Sequence, residues 1–393
     1  MPAFVDGEFG LLYAESVSEI KIKTAAMTRI GRHDGDFRSL LARAAALALD
    51  GIDPGRIRAV FFSSFAPTEL CAIADPAGLA GEVLRAVAPG LRAPVLGPFL
   101  TGAEAIHRAL QSADRTPGDV LLVGCEKMTH LDAGAAAGML APRVSDAVEQ
   151  RHGATLPALA ALATSTYHTA HRVPQRAFDE VAIKNHRHGA LNPLAHFRKP
   201  ITAQDVRRSP VVADPLRRHH CAPMSDGAAA CVLSSDEGAV RLTGWGAAMD
   251  TPRFHERLRP GEFHAAARAA RAAFAMAGRT PRDVQVVEIH DAFAPFELMN
   301  LEAMGFFALG DAWRALARDE LSVGGRLAVN PSGGMKARGH PIGVCGLTSL
   351  VEIHQQLTGT AGERQQAGAR MAAIQSAGGV SRDCYVFTAE AAS

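Results

Sequence analysis

Apolar positions along this chain fall into two periods that take turns. Over residues 40–49, Leu40, Leu41, Ala44, Ala45, Ala48 and Leu49 mark one stripe of a 3.6-residue repeat, which predicts a helix. Gly51 ends it, and Pro54 marks a turn before the continuous apolar run Ala59-Val60-Phe61-Phe62, a buried strand. A helix near 106–112 follows, then the turn Thr116-Pro117-Gly118-Asp119 and a strand over 120–123. The same phrase returns in the last third as a helix over 265–276, Gly278, the turn Thr280-Pro281-Arg282-Asp283 and a strand over 284–289. Further on, Leu347, Leu350, Val351, Ile353, His354 and Leu357 carry a helix after Gly346, and residues 371–374 form a strand. Helices alternating with fully apolar strands predict an α/β fold whose parallel or mixed sheet is covered on both faces. The recurrence predicts an internal duplication, and residues near 127–205 break the alternation.

Composition narrows this picture by exclusion. With 393 residues and 48% hydrophobic content, the chain can bury a large core over roughly two or three domains. Lys plus Arg number 41 against 40 Asp plus Glu, so no overall field favours nucleic acid or an anionic membrane. No apolar run approaches the ~20 residues that span a bilayer, and the opening Met1-Pro2-Ala3-Phe4 lacks a basic segment leading into an apolar one. A cytoplasmic location is expected. Cys71, Cys125, Cys221, Cys231, Cys345 and Cys384 are scattered without ligand spacing, which predicts free thiols and no metal.

The densest chemistry lies in Asn330-Pro331-Ser332-Gly333-Gly334-Met335-Lys336-Ala337-Arg338-Gly339-His340-Pro341-Ile342-Gly343-Val344-Cys345-Gly346. Its glycines let backbone come close to a neighbour. Pro341 suits a first helical turn, which predicts His340 at a helix N-terminus among N–H donors that could hold a carbonyl oxygen gaining charge. This stretch resembles the C-terminal signature of the thiolase superfamily, Asn-x-x-Gly-Gly-x-x-x-x-Gly-His-Pro-x-Gly-x-x-Gly, in which the histidine serves catalysis. A second motif, His290-Asp291-Ala292-Phe293, closes the strand predicted at 284–289, and open α/β sheets place their sites at such strand ends. Its usual thiolase counterpart is Asn-Glu-Ala-Phe; the His-Asp form resembles the sterol-carrier-protein-type thiolases and their bacterial relatives. Ser225-Asp226-Gly227-Ala228-Ala229 is similar to a family stretch that leads into the last strand of the first half, and reads as close packing.

The resemblance implies the thiolase fold: two duplicated halves, 1–240 and 241–393, in a layered αβαβα core, with an inserted loop domain at about 127–205 over the active site. It implies catalytic roles for His340 and His290, and substrate contacts at Asn330, Gly334, Gly339, Gly378 and Gly379. It also implies an acyl-coenzyme A or carrier-protein thioester as substrate, with no other cofactor. Lys184, Arg187, Arg198 and Lys199, set among His186, His188, His196, His219 and His220, form either a solvated face or a phosphate clamp for the coenzyme.

Departures from the family pattern matter as much as the matches. A catalytic thiolase carries its nucleophile in Cys-x-Ser-Gly-x-x-Ala, and the matching stretch here is Phe99-Leu100-Thr101-Gly102-Ala103-Glu104-Ala105. A phenyl ring can neither attack a thioester nor carry an acyl group. The family's second cysteine, in Cys-x-Gly-Gly, is replaced by Ser376 in Ser376-Ala377-Gly378-Gly379. Cys345 is expected as a packed residue at a helix start. The expected activity is therefore C–C bond making or breaking on an acyl thioester, of acyltransferase, Claisen or aldol type, without an acyl-cysteine. The alternatives are a non-catalytic subunit or scaffold of a larger complex, and a module that only binds acyl thioesters. Expected partners are a second copy of the chain, paired through edge strands of the first half near 120–123, or an OB-fold/zinc-ribbon protein.

Overall fold

The computed structural model describes residues 19–112, 118–144 and 146–392. Thr116 and Pro117 of the expected turn lie outside the described residues, as do Met1 to Phe4.

The first half contributes β1 (Ile20–Met27), β2 (Ile57–Ser63), β3 (Val95–Phe99), β4 (Asp119–Glu126), a small hairpin of β5 (Val211–Ala213) and β6 (Leu216–Arg217), and β7 (Gly227–Ser234). The second contributes β8 (Val240–Met249), β9 (Val286–Ile289), β10 (Ala328–Val329), β11 (Met371–Gly378) and β12 (Asp383–Ala391). Outside the hairpin, ten strands form one sheet in the order β10-β9-β11-β12-β8-β1-β7-β4-β2-β3. Counted from its own first strand, each half runs third, second, fourth, fifth, first from its outer edge inward. The halves join where β1 pairs antiparallel with β8. In both, the second strand pairs in parallel with the third and the fourth. The duplication is thus present in topology as well as in spacing.

Every residue of β4, β7 and β9 is buried, as strands covered on both faces require. Helices Phe37–Leu49 and Pro76–Val87 cover the outer face of the first half, with Leu41, Ala44 and Leu84 packed on Val60, Leu121 and Val232. Helices Gly102–Ser112 and Cys345–Leu357 fill the middle, where Ile106, Leu347 and Val351 meet strand residues of both halves such as Leu122 and Ile374. Helices His264–Ala277 and Ala294–Ala303 pack on the outer face of the second half. The layers therefore run αβαβα. The two middle helices touch backbone to backbone: a Cβ on Gly346 would stand 2.3 Å from the Ala103 nitrogen, and one on Gly102 2.8 Å from the Leu347 nitrogen. Any side chain there would force the layer apart.

Among the described residues of 127–205, helices are the regular elements, with Leu156–His171 and Arg176–Ala190 the longest. No helix among the described residues is long and apolar enough to cross a membrane. The pairing expected near 120–123 needs correction, because β2 separates β4 from the edge, and the edge itself is β3. That strand was not foreseen: Gly97 and Pro98 interrupt its apolar run, and Leu96 is 41% exposed.

Candidate active site

At the end of β9 the chain turns, and His290 and Asp291 serve different structures. The His290 ring stands 5.4 Å from that of His340 in an edge-to-face pair. The Asp291 carboxylate accepts from the backbone nitrogens of Met335 at 2.6 Å and Lys336 at 3.3 Å, and from Asn185 Nδ2 at 2.7 Å. It caps the short helix Gly334–Arg338 by filling donors that a helix start leaves open. The approach is close enough that a Cβ on Gly334 would fall 2.3 Å from Asp291 Oδ2.

Buried charges brace the rest of the signature. Arg338 Nη1 donates to Glu288 Oε2 at 2.8 Å, and Ser332 Oγ donates to the same oxygen at 2.8 Å. Asn330 is fully buried; its Nδ2 donates to Glu297 at 2.7 Å and its Oδ1 accepts from the Ile289 nitrogen at 2.8 Å. Lys184 Nζ pairs with Glu297 at 3.2 Å and donates to the Val329 carbonyl at 2.8 Å. Burial, with the nearby Glu297 charge, pushes Asp291 up to about 7. This is a scaffold for backbone, and it uses up Asn330. Gly339, at φ +112°, packs on Ile30 and Ser225. Asn330, Gly334 and Gly339 therefore face protein rather than a cleft, whereas Gly378 and Gly379 stay partly exposed just past Ser376.

His340 does not sit in a helical turn. Pro341 is extended, a single 3-10 turn spans Ile342–Val344, and the α-helix begins at Cys345. The half-buried imidazole is instead held from two sides. Its backbone nitrogen donates to Ser225 Oγ at 3.1 Å, and its Nδ1 lies 2.9 Å from Cys345 Sγ. Withdrawal from water and the neighbouring Arg338 charge bring His340 down to about 4. Burial, then His340 and Arg338, hold His290 well below the usual histidine range. Both rings are neutral at pH 7, so each offers one N–H and one lone pair. His290 Nδ1 is buried with no hydrogen-bond partner among the described residues, while its backbone nitrogen donates to Gln375 Oε1 at 3.0 Å.

Phe99 and Ser376, expected at the family's two cysteine positions, behave differently from these histidines. Phe99 stacks on Phe61, with centroids 5.9 Å apart and planes 19° apart, and joins the middle layer's packing. Ser376 is buried, and its hydroxyl makes no hydrogen bond among the described residues. Cys345 is buried as well, and desolvation pushes its thiol up to about 12.

The basic cluster divides. Lys184 is spent in the scaffold, Arg187 pairs with Asp319, His188 Nδ1 meets the Asn330 carbonyl at 2.9 Å, and His220 Nε2 meets Asp179 at 2.8 Å. His186, His196, Phe197, Arg198, Lys199 and His219 instead line an open cavity of about 1050 Å³. His196 Nδ1 lies 2.9 Å from Ser225 Oγ, so one wall of this cavity shares a hydroxyl with the backbone of His340. The bonds of Ser225 to His340, of Gln375 to His290 and of Asp291 to Met335 had no local signal in the sequence, since they span 115, 85 and 44 positions.

Known proteins fall in line with this architecture. The family model "Thiolase, N-terminal domain" matches residues 20–237, and "Thiolase C-terminal domain-like" matches 246–388. The acetyl-CoA acetyltransferase of Methanocaldococcus jannaschii is 32% identical over 343 residues, 82% of this chain and 85% of that one. Sterol carrier protein 2 of Oryctolagus cuniculus is 35% identical over 207 residues, which is 50% of this chain and 38% of that protein. Among solved structures, the Ltp2-ChsH2(DUF35) aldolase superposes with a TM-score of 0.78 at 20% identity, covering 95% of this chain and 98% of that chain. Human mitochondrial 3-ketoacyl-CoA thiolase superposes at 0.70 and 18% identity, covering 96% and 100%. With both halves matched by family models and a relative aligned over most of its length, the chain belongs to the thiolase superfamily.

Proposed function

We propose that this chain makes or breaks a C–C bond of an acyl thioester with His290 and His340 as its working pair and without an acyl-cysteine. One observation carries the proposal: two neutral imidazoles pair edge to face at 5.4 Å, and reading Phe99 and Ser376 at the family's two cysteine positions removes the acyl-enzyme route. Enolate chemistry needs a base and a donor, and no nucleophile. In aldol cleavage of a β-hydroxyacyl thioester, one imidazole lone pair takes the hydroxyl proton. The Cα–Cβ bond breaks, a carbonyl compound leaves, and the electron pair becomes a thioester enolate whose oxygen accepts the other imidazole's N–H. Cα then takes the proton back. Similarity to acetyl-CoA acetyltransferases supports the thioester, and similarity to the Ltp2-ChsH2(DUF35) aldolase supports the lyase direction and a second subunit.

Arg198 and Lys199 make no ion pair among the described residues and line the large cavity, so they are the cations left to meet the phosphates of a coenzyme A carrier. The exposed edge of β3 is the surface through which a second copy would pair. A non-catalytic scaffold is the second reading, favoured by the packing of Phe99 into the core.

A panel of β-keto and β-hydroxyacyl thioesters followed by mass spectrometry tests the activity. His340→Ala should lower kcat by a factor on the order of 10²–10³, and His290→Ala should act in the same direction and less than additively with it. If both variants keep kcat within about twofold of wild type, a barrier change of only ~0.4 kcal/mol, the histidines are not the working pair.

A further inference from the structure

We infer that Cys345 is a positioning residue that decides which nitrogen of His340 works: its sulfur holds Nδ1–H, Nε2 presents the lone pair, and His340 is the base while His290 is the donor. The inference rests on the histidine pair proposed above and divides the labour within it.

The assignment follows from which atoms can donate. Cys345 Sγ lies 3.2 Å from the Pro341 carbonyl and 2.9 Å from His340 Nδ1. A carbonyl oxygen only accepts, so the thiol proton goes to Pro341 and sulfur meets Nδ1 with a lone pair. A neutral imidazole has one ring proton, and here Nδ1 must carry it. The thiol stays protonated and the ring stays neutral at pH 7, since burial holds the first near 12 and the second near 4. Nε2 makes no hydrogen bond among the described residues, which leaves it the nitrogen free for a substrate proton. The local backbone explains why residue 345 can do this. The 3-10 turn at Ile342–Val344 brings the first residue of the following helix back beneath the ring, while Ser225 pins the His340 nitrogen from the other side.

A thiol beside a histidine also raises the thought of a relocated nucleophile. The geometry is against it. Cys345 is 2% exposed, and both of its contacts lie within its own turn. A nucleophile must reach a thioester carbonyl, and this sulfur is turned to the protein.

The test uses the full-length protein and two readouts. Long-range ¹H–¹⁵N spectra of histidine-labelled protein, with His340 assigned by its loss in His340→Gln, should show a protonated Nδ1 and a bare Nε2 at pH 7. Cys345→Ser should keep that tautomer, because a hydroxyl can also donate to the Pro341 carbonyl and accept from Nδ1. Cys345→Ala should give a mixture. Against whichever thioester the panel identifies, Cys345→Ala should lose about tenfold in kcat with KM within about twofold, and Cys345→Ser should recover most of the loss. A protonated Nε2 in the native protein, an unchanged tautomer in Cys345→Ala, or an acyl adduct on Cys345 would each overturn the inference. If no thioester turns over, the spectra alone decide it, so failure of the enzymatic reading and failure of this one remain separate.

Discussion

The two loops that open the middle helices make an instructive pair. They occupy equivalent places in the duplicated halves, between third and fourth strand, yet they are built from opposite materials. In the first half, Phe99 is fixed by a ring stack and by its carbonyl, which accepts from Ser64 at 3.0 Å. The polar side chains there do little beyond capping: Thr101 accepts from the Glu104 nitrogen, and Glu104 from the Leu100 nitrogen. In the second half, Asp291, Glu288, Glu297, Arg338 and Lys184 hold the signature through charges withdrawn from water. Buried ion pairs add little net stability over apolar packing, and their best-attested role is to specify one arrangement. The contrast teaches that position alone does not make a site. One loop rests a partly buried ring against the core, whereas the other keeps a costly scaffold under a histidine.

The sharpest way to break this comparison is to remove half of an ion pair. Glu288→Ala would leave Arg338 buried without its carboxylate and should cost about 3–5 kcal/mol in urea unfolding. A cost below ~1 kcal/mol would mean that the charges do not hold the signature. Next in size, Phe99→Ala removes a partly buried ring and should cost about 1–3 kcal/mol. Turnover of any active thioester should then change less than about threefold, and a larger fall at unchanged stability would return the Phe99 loop to chemistry. Incubation of wild type with acetyl-coenzyme A should add no mass, since Phe99 offers no nucleophile; an acetyl group mapped to residues 95–106 would contradict the match of Phe99 to the family's nucleophile position.

The smallest effect sharpens the comparison from outside it, because it concerns what ties the second loop to the loop after β2. Glu126 Oε2 accepts from Phe65 N at 2.9 Å and Gly343 N at 2.8 Å, joining a first-half loop to the signature. Burial pushes this carboxyl up to about 7 from 4.5. Its folded pKa is raised, so the folded chain keeps a proton that the unfolded chain releases. The resulting stability is complete below pH ~4.5 and is lost as pH rises through about 7. Glu126→Gln keeps an oxygen for both N–H groups and cannot ionise. The variant should match wild type within ~0.5 kcal/mol near pH 4.5 and exceed it by on the order of 1 kcal/mol at pH 8. Identical slopes of Tm against pH in the two proteins would refute the assignment.

Much of the fold was legible because burial leaves a period. The helix at Phe37–Leu49 and the strands β2, β4 and β11 were readable from their apolar spacing. β3 was not, since an edge strand with Gly97 and Pro98 in it has neither continuous apolarity nor clean alternation. His340 and His290 stood out because their motifs are local. The helix starts four residues later than Pro341 suggests, because proline marks a first turn without saying whether that turn is 3-10 or α. Lys184 and His188 read in the sequence as part of a solvated face or a phosphate clamp, and only their distant partners, Glu297 and the Asn330 carbonyl, reveal them as interior.

The glycine contact between the middle helices has a mechanical consequence. Where backbone touches backbone there is no side chain to slide or to change rotamer, so the two halves cannot rock about that point without separating it. The strand pairing of β1 with β8 crosses the same junction with main-chain hydrogen bonds. Opening and closing for a ligand must then belong to the helical insertion and to single side chains. The two halves should exchange their core amide hydrogens as one cooperative unit.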